Sequence, residues 1–224
     1  MKQYSIVRSR RLNLYPLSET EMDALIAETT DGDLKEAYLQ MSEASRNDAA
    51  HRIWYVPWTM ERRADKVRVG EVGFHGAPEN DAVEIGYGVR PEYEGQGYTQ
   101  EAVKAMTDWA LTQEDICFVE AEAVENTASA HILEKLGFTR YGKGEEGIRY
   151  EKEKPLPSYA SLGMCLGMCF GMSIGMTMFK DNFTVGMCMG MCLGMAIGSG
   201  KDKREKQKRS EITAKRKARL SGEV

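Results

Sequence analysis

VRPEYEGQGYTQEA, residues 89–102, places Gly95 and Gly97 between a stretch that reads as the end of a strand and one that reads as the start of a helix. Glycines at such a junction permit positive φ and close backbone approach. The helix N-terminus behind them presents unpaired N–H groups and the positive end of the helix dipole. The stretch therefore reads as a cradle for phosphate. It carries neither the lysine-containing P-loop nor the GxGxxG of dinucleotide folds, so ATP and NAD are not its expected ligands. Taken alone, EGQGYT is equally well explained as a tight strand-to-helix turn.

Working outward, RLNLYPL at 11–17 reads as an opening strand, followed by SETEMDALIAET with Ser18 as N-cap and Glu21 completing a capping box. HRIWYVPWTM, KVRVGEVGFHG and AVEIGYGVR are rich in β-branched and aromatic residues, and APEND separates the last two as a hairpin turn. Downstream, 99–113 puts Ala102, Met106, Trp109 and Ala110 at helical spacing, and ICFVEAEAV returns as a strand. NTASAHILEKLGF makes a helix with Leu133 and Leu136 inward and Gly137 as its stop, and FTRYGKGEEGIRYEKE supplies two short strands. The alternation predicts an α/β domain of the α+β kind.

VEIGYGVRPEYEGQGYTQEAVKAM at 83–106, followed by VENTASAHILEKLGFTRYG at 124–142, resembles the GNAT acetyltransferase superfamily, in the branch similar to ribosomal-protein alanine N-acetyltransferases. The resemblance covers roughly residues 8–153, including RRLNLYPLSETEMDAL and GEVGFHGAPENDAVEIGYGV. It implies the GNAT acyltransferase fold, a central mixed, mostly antiparallel sheet flanked by helices. It also implies acetyl-CoA as acetyl donor, a primary amine as acceptor and no metal. The family's pyrophosphate signature, Gln/Arg-x-x-Gly-x-Gly/Ala, falls on Glu94, Gly95, Gln96, Gly97, Tyr98 and Thr99. Gly97 matches. Glu94 sets a carboxylate beside a phosphate and Thr99 adds bulk, both of which weaken coenzyme A binding, while the backbone amides from Gln96 to Gln100 remain.

By the same likeness, Gly88, Val89 and Arg90 pair their backbone with the pantetheine arm as an added strand, and Asn126 and Ser129 approach the cofactor sulfur. Ser129 is the implied proton donor to the departing thiolate; helix capping alone also accounts for Asn126 and Ser129. Direct attack by an amine needs a proton acceptor, with Glu84 the first candidate and His75 the second, and a backbone N–H near Val89 or Arg90 for the developing oxyanion. Both side chains also read as ordinary strand residues. Trp54, Tyr55 and Trp58 are placed on the strand before the hairpin, walling an acceptor pocket or packing the core. Cys117 reads as a buried small hydrophobe.

Composition narrows the classes. With 42% apolar residues the chain can build a packed core. The net charge of −4 hides an asymmetry: 201–219 holds ten Lys and Arg against three Asp and Glu, so the rest is acidic and its first domain is not expected to bind nucleic acid. The N-terminus lacks a secretory apolar run. Only Cys117 of the five cysteines precedes residue 160, which fits a reducing, cytoplasmic setting. EKEKPLPSYAS marks a linker, giving an acetyltransferase domain at 1–155, a repeat at 156–200 and a basic tail at 201–224.

The repeat reads GMCL, GMCF, GMSI, GMTM, then FKDNFTV, then GMCM, GMCL, GMAI and GSG. On a helix its glycines advance about 40° per step and form a small-residue stripe, so two antiparallel glycine-zipper helices joined at 180–182 are the leading expectation. Leu162–Phe179 would span roughly 27 Å, close to a membrane requirement, and the basic tail suits an anionic surface. Self-association of a soluble zipper fits as well. Period-two strands, with Gly163, Cys165, Gly167 and Cys169 on one face, are the minority geometry, and Cu(I) bound by Cys165, Cys169, Cys188 and Cys192 is a third reading. The rival to an enzyme is a scaffold whose cradle Glu94 and Thr99 have disabled.

Overall fold

The structure is a computed structural model that describes residues 6–124, 127–144, 147–178 and 183–220. The chain divides into two units, Met1–Lys154 and Pro155–Val224.

The first unit is an eight-stranded sheet in the order β1-β2-β3-β4-β5-β6-β8-β7. The strands are β1 (Val7–Arg8), β2 (Leu12–Pro16), β3 (Trp58–Arg62), β4 (Arg68–Phe74), β5 (Ala82–Val89), β6 (Phe118–Ala123), β7 (Thr139–Lys143) and β8 (Ile148–Glu153). The helices are α1 (Glu19–Glu28), α2 (Gly32–Asn47), α3 (Tyr98–Ala110) and α4 (Ala128–Lys135). Every neighbouring pair is antiparallel except β5 and β6, which run parallel. This is the GNAT fold.

The pleat decides which residues enter the core. Leu12 and Leu14 of β2 are fully buried while Asn13 between them is not, and Ala102, Val103, Met106 and Ala110 put one stripe of α3 onto the same face. Val72 and Phe74 of β4 point to this core, so Glu71, Gly73 and His75 point to the other face, where Tyr38 of α2 reaches Glu71. There Leu17, Met22 and Tyr38 form a separate apolar cluster under α1 and α2. Ser18 and Glu21 form the expected capping box. Helix α2 was not anticipated, because GDLKEAYLQMSEASRN buries only Tyr38, Ser42 and Ser45 and so shows little apolar period.

Two expectations need correction. HRIWYVPWTM is not one strand: Arg52–Trp54 form a 3-10 turn and β3 begins only at Trp58. Trp54 and Trp58 pack with Phe74 around the Trp109 ring, at centroid separations of 5.1, 5.0 and 6.0 Å from it, and both are buried, so these indoles fill the core. Cys117 is only half-buried.

The second unit is a helical hairpin of α5 (Tyr159–Met178) and α6 (Phe183–Leu220). A Cβ at Gly163, Gly167 or Gly171 would collide with the carbonyl oxygens of Gly194, Gly190 and Gly186 respectively, so the backbones touch along this line. Helix α6 runs on without a break through the basic residues to Leu220. The strand geometry for the repeat is therefore overturned, and among the described residues no group of three or more metal-ligating side chains occurs. The turn expected at 180–182 lies outside the described residues.

Candidate active site

Parallel strands β5 and β6 are in register over only three pairs, Ala82 with Phe118, Val83 with Val119 and Glu84 with Glu120. Beyond Glu84, β5 continues to Val89 against β4 alone among the described residues, so the two strands part and leave a main-chain edge that no described strand pairs. Which groups line this gap follows from antiparallel alternation. His75 N–H donates to Glu84 O at 3.0 Å and Arg90 N–H donates to Val69 O at 2.9 Å. Residues 84, 86, 88 and 90 therefore direct their main-chain groups to β4, and Tyr87 and Val89 direct theirs into the gap. Of Gly88, Val89 and Arg90, only Val89 is left to pair with an arriving chain. Tyr87 joins it, a residue that period-two reasoning on the sequence could have supplied.

At the mouth of the gap, Pro91–Tyr93 turn and lead through Gly95 (φ 70°) and Gly97 (φ 76°) into α3. Both glycines take the left-handed conformation that a Cβ disfavours. Gly97 is the N-cap of α3 and no side chain caps the helix among the described residues; the N–H groups of Tyr98, Thr99 and Gln100, in the first turn, have no intrahelical acceptor and face outward with the helix dipole. The Tyr98 side chain itself is buried beneath Arg11, whose guanidinium lies 4.5 Å from the ring centroid. Tyr98 therefore offers its backbone alone. Glu94 is exposed and Thr99 half-buried.

Arg11 was missed at the sequence level and holds this loop in place. It donates to Gln96 O at 3.0 Å, and its backbone N–H and Nε reach the Glu101 carboxylate at 2.6 and 2.7 Å. The Ser9 hydroxyl adds a third bond to Glu101 at 2.7 Å. Burial works to raise the Glu101 pKa, but Arg11 and Ser9 outweigh it and hold the carboxyl below its ordinary value. The clue was an arginine, at the start of the first strand, that the reading of RRLNLYPL did not single out.

Beside the gap, on the α1–α2 face, lies a cavity of about 440 Å³. Its floor is bare because Gly73, Gly86 and Gly88 carry no side chains, Tyr38 and Met41 of α2 form its far wall, and His75 enters it. His75 Nδ1 sits 3.3 Å from Glu84 Oε1, so the two candidate bases form one pair. That bond from His75 is the main reason the Glu84 carboxyl lies below its ordinary value, with burial opposing and Arg149 assisting. A carboxylate of lowered pKa is the poorer base, and an imidazole oriented by a carboxylate the better one. The imidazole Nε2 lies over Gly86, where an added Cβ would come within 2.5 Å of it.

At the other side of β5, Ser129 is half-buried in the first turn of α4. Thr127 caps that helix through Ala130 N–H, which leaves Ser129 with no capping duty. The Tyr87 and Tyr150 hydroxyls are buried and no hydrogen bond of good geometry engages them among the described residues. Burial raises the Tyr87 pKa, while Ser129 lies near enough to oppose the rise. Asn126 lies outside the described residues.

Residues 11–139 match the family model described as the acetyltransferase (GNAT) domain. A 91-residue stretch is 34% identical to the uncharacterized N-acetyltransferase YjdG of Bacillus subtilis, covering 40% of this chain and 54% of that protein, so the chain spans about half the length of this relative. Among solved structures, a ribosomal-protein alanine acetyltransferase from Vibrio fischeri superposes with TM-score 0.54 at 16% identity, covering 67% of this chain and 97% of the other. A ribosomal alpha-N-protein acetyltransferase in complex with coenzyme A superposes with TM-score 0.53 at 19% identity, covering 66% and 98%. At these identities the structural likeness carries the fold.

Proposed function

The chain belongs to the GNAT acetyltransferase domain family, and from that premise we propose that its first unit moves acetyl from acetyl-CoA to a primary amine, a peptide N-terminus or a small amine, by direct attack in a ternary complex. The observation that carries the reading is the parted edge of β5 beside an uncapped α3 entered through two left-handed glycines. Acetyl-CoA supplies an activated thioester carbonyl. The N–H groups of Tyr98, Thr99 and Gln100 hold its pyrophosphate, with Gln96, Gly95 and Gly97 shaping the loop. Tyr87 and Val89 hold the pantetheine arm through their main chain.

The Val89 N–H is the donor left in the gap for the carbonyl oxygen as it gains charge, since the Arg90 N–H is engaged by Val69. His75, oriented by Glu84, takes the proton of the attacking amine from the cavity side. Ser129, beside the Tyr87 hydroxyl, gives its proton to the departing sulfur and regains one from water, while His75 releases the amine's proton to water, so that free thiol and neutral amide leave. The carboxylates at and beside the cavity have partners: Glu71, which lines it, accepts from Tyr38 at 2.9 Å and pairs with Arg68, and Glu84 meets His75. The acidic balance of this unit suits a cationic acceptor.

We assign 1–155 to the enzyme, 156–200 to a glycine-zipper hairpin and 201–224 to a basic tail, with the enzyme in the cytoplasm. The test is transfer. Full-length protein is incubated with acetyl-CoA and a panel of free-N-terminus peptides and polyamines, and product is followed by mass spectrometry beside thiol release. Acetylated product that is lost in His75→Ala supports the assignment. Tight coenzyme A binding without transfer to any amine in the panel, by wild type and His75→Ala alike, contradicts it.

A further inference from the structure

The hairpin is turned inside out by the standards of a water-soluble helix pair. Its seam is made of glycines whose backbones touch, so no large side chain fits between the helices. Leu162, Leu166 and Phe170 of α5 and Met189, Leu193 and Ile197 of α6 point outward instead, Phe170 being 69% and Leu193 65% exposed. A hairpin that folds in water does the reverse and places such residues in its seam. A second copy packed on one side would leave the rest of this apolar girdle in water, whereas a bilayer covers all of it.

Length and charge point the same way. No Asp, Glu, Lys or Arg occurs within Tyr159–Met178 or in the first 18 residues of α6. The span Tyr159–Met176 has a mean hydropathy of 1.4 with only 11% of it buried. The 20 residues of α5 extend about 30 Å, the thickness of a hydrocarbon core. The Ser173 hydroxyl donates to Cys169 O at 3.0 Å, so it brings no unmet donor into lipid.

Charged and aromatic groups gather at one end. Asp202 accepts from the Tyr159 and Ala160 N–H groups at 2.6 and 3.0 Å, capping α5 from the neighbouring helix. Lys201 Nζ lies 5.7 Å from the Tyr159 ring centroid, a pairing suited to the headgroup level. From there the helix carries ten Lys and Arg against three Asp and Glu over 201–219. That balance fits an anionic leaflet.

We propose that α5 and the apolar half of α6 insert as a hairpin into an anionic phospholipid bilayer, with the basic half of α6 on the headgroups of the leaflet from which the hairpin enters. Full-length protein is translated in the presence of vesicles of phosphatidylcholine and phosphatidylglycerol and floated on a density gradient. It is expected to rise with the vesicles, to stay with them in 1 M salt, and to have Cys165, Cys169, Cys188 and Cys192 shielded from a membrane-impermeant maleimide until detergent is added. Leu166→Lys and Leu193→Lys leave the glycine seam intact and lower partitioning about a hundredfold each, with helicity by circular dichroism unchanged. Release by salt would leave only adhesion of the tail and overturn insertion. So would protein that stays at the bottom of the gradient as a soluble assembly, or lysine variants that float like the wild type.

Discussion

Gly86→Ala tests the placement of the base without touching it. The substitution sets a methyl group 2.5 Å from His75 Nε2, and an ordinary contact needs about 3.5 Å, so the imidazole must move by about 1 Å. The ring is the far end of a half-exposed side chain, so it can swing aside at little cost. Gly86 has no positive φ, and removing a glycine from the unfolded chain returns about 0.4–1 kcal/mol. Stability is therefore expected to change by less than about 1 kcal/mol. The rate is another matter. A misplacement of that size costs about 100-fold, and general base catalysis as a whole contributes about 100- to 10,000-fold. The prediction is a kcat about 100-fold lower by thiol-release kinetics with the coenzyme A Kd unaltered. Combined with His75→Ala, the glycine change should add nothing further, as expected for residues acting through one group. An unchanged kcat in Gly86→Ala, or full additivity in the double variant, would refute the role given to His75.

Three further outcomes follow from the loop and its anchors. Gly97→Ala forces a Cβ into a backbone at φ 76°, a strain of about 1–2 kcal/mol, and relief by peptide rotation turns the Tyr98 N–H away; calorimetry should read a coenzyme A Kd about tenfold higher, and an unchanged Kd would count against the cradle. Glu101→Ala removes three hydrogen bonds from a carboxylate that is 15% exposed and should cost about 2 kcal/mol, seen as a Tm lower by about 6 °C in a thermal melt. Glu84 and Glu101 both lie below the ordinary 4.5 in the folded protein. The unfolded chain therefore takes up protons first as pH falls, and the stability these carboxylates contribute is complete above about pH 4.5 and lost below it. Urea midpoints across that range should fall more gently in Glu101→Gln.

What the sequence yielded and what it withheld divide along physical lines. Ser18 with Glu21, the stripe Ala102–Met106–Ala110 and the Gly137 stop were legible because capping chemistry and helical period are local. So were the glycines of the loop, since left-handed backbone leaves a compositional mark. The Trp54–Trp58–Trp109 cluster was ambiguous: an aromatic run looks the same whether it lines a pocket or fills a core, and only the turn at Arg52–Trp54 decides. The Arg11–Glu101 anchor spans 90 positions, and nothing in either segment alone names its partner. The pairing of His75 with Glu84 depends on hairpin register, as does the choice of Tyr87 and Val89 over Gly88 and Arg90 as the exposed edge. A reading that treats Glu84 and His75 as rival bases cannot foresee that one orients the other. The repeat is a different case: its four-residue glycine period is plain in the sequence, while the outward turn of its large side chains emerged from the fold.

The central claim is that coenzyme A lies between the uncapped start of α3 and the parted edge of β5. Amide NMR of the isotope-labelled full chain during a coenzyme A titration addresses it residue by residue. The account predicts saturable shifts at Tyr98, Thr99, Gln100, Tyr87 and Val89, with smaller movement at Gly88 and Arg90, whose main-chain groups face β4. Saturable binding that leaves the Tyr98–Gln100 amides in place would contradict it.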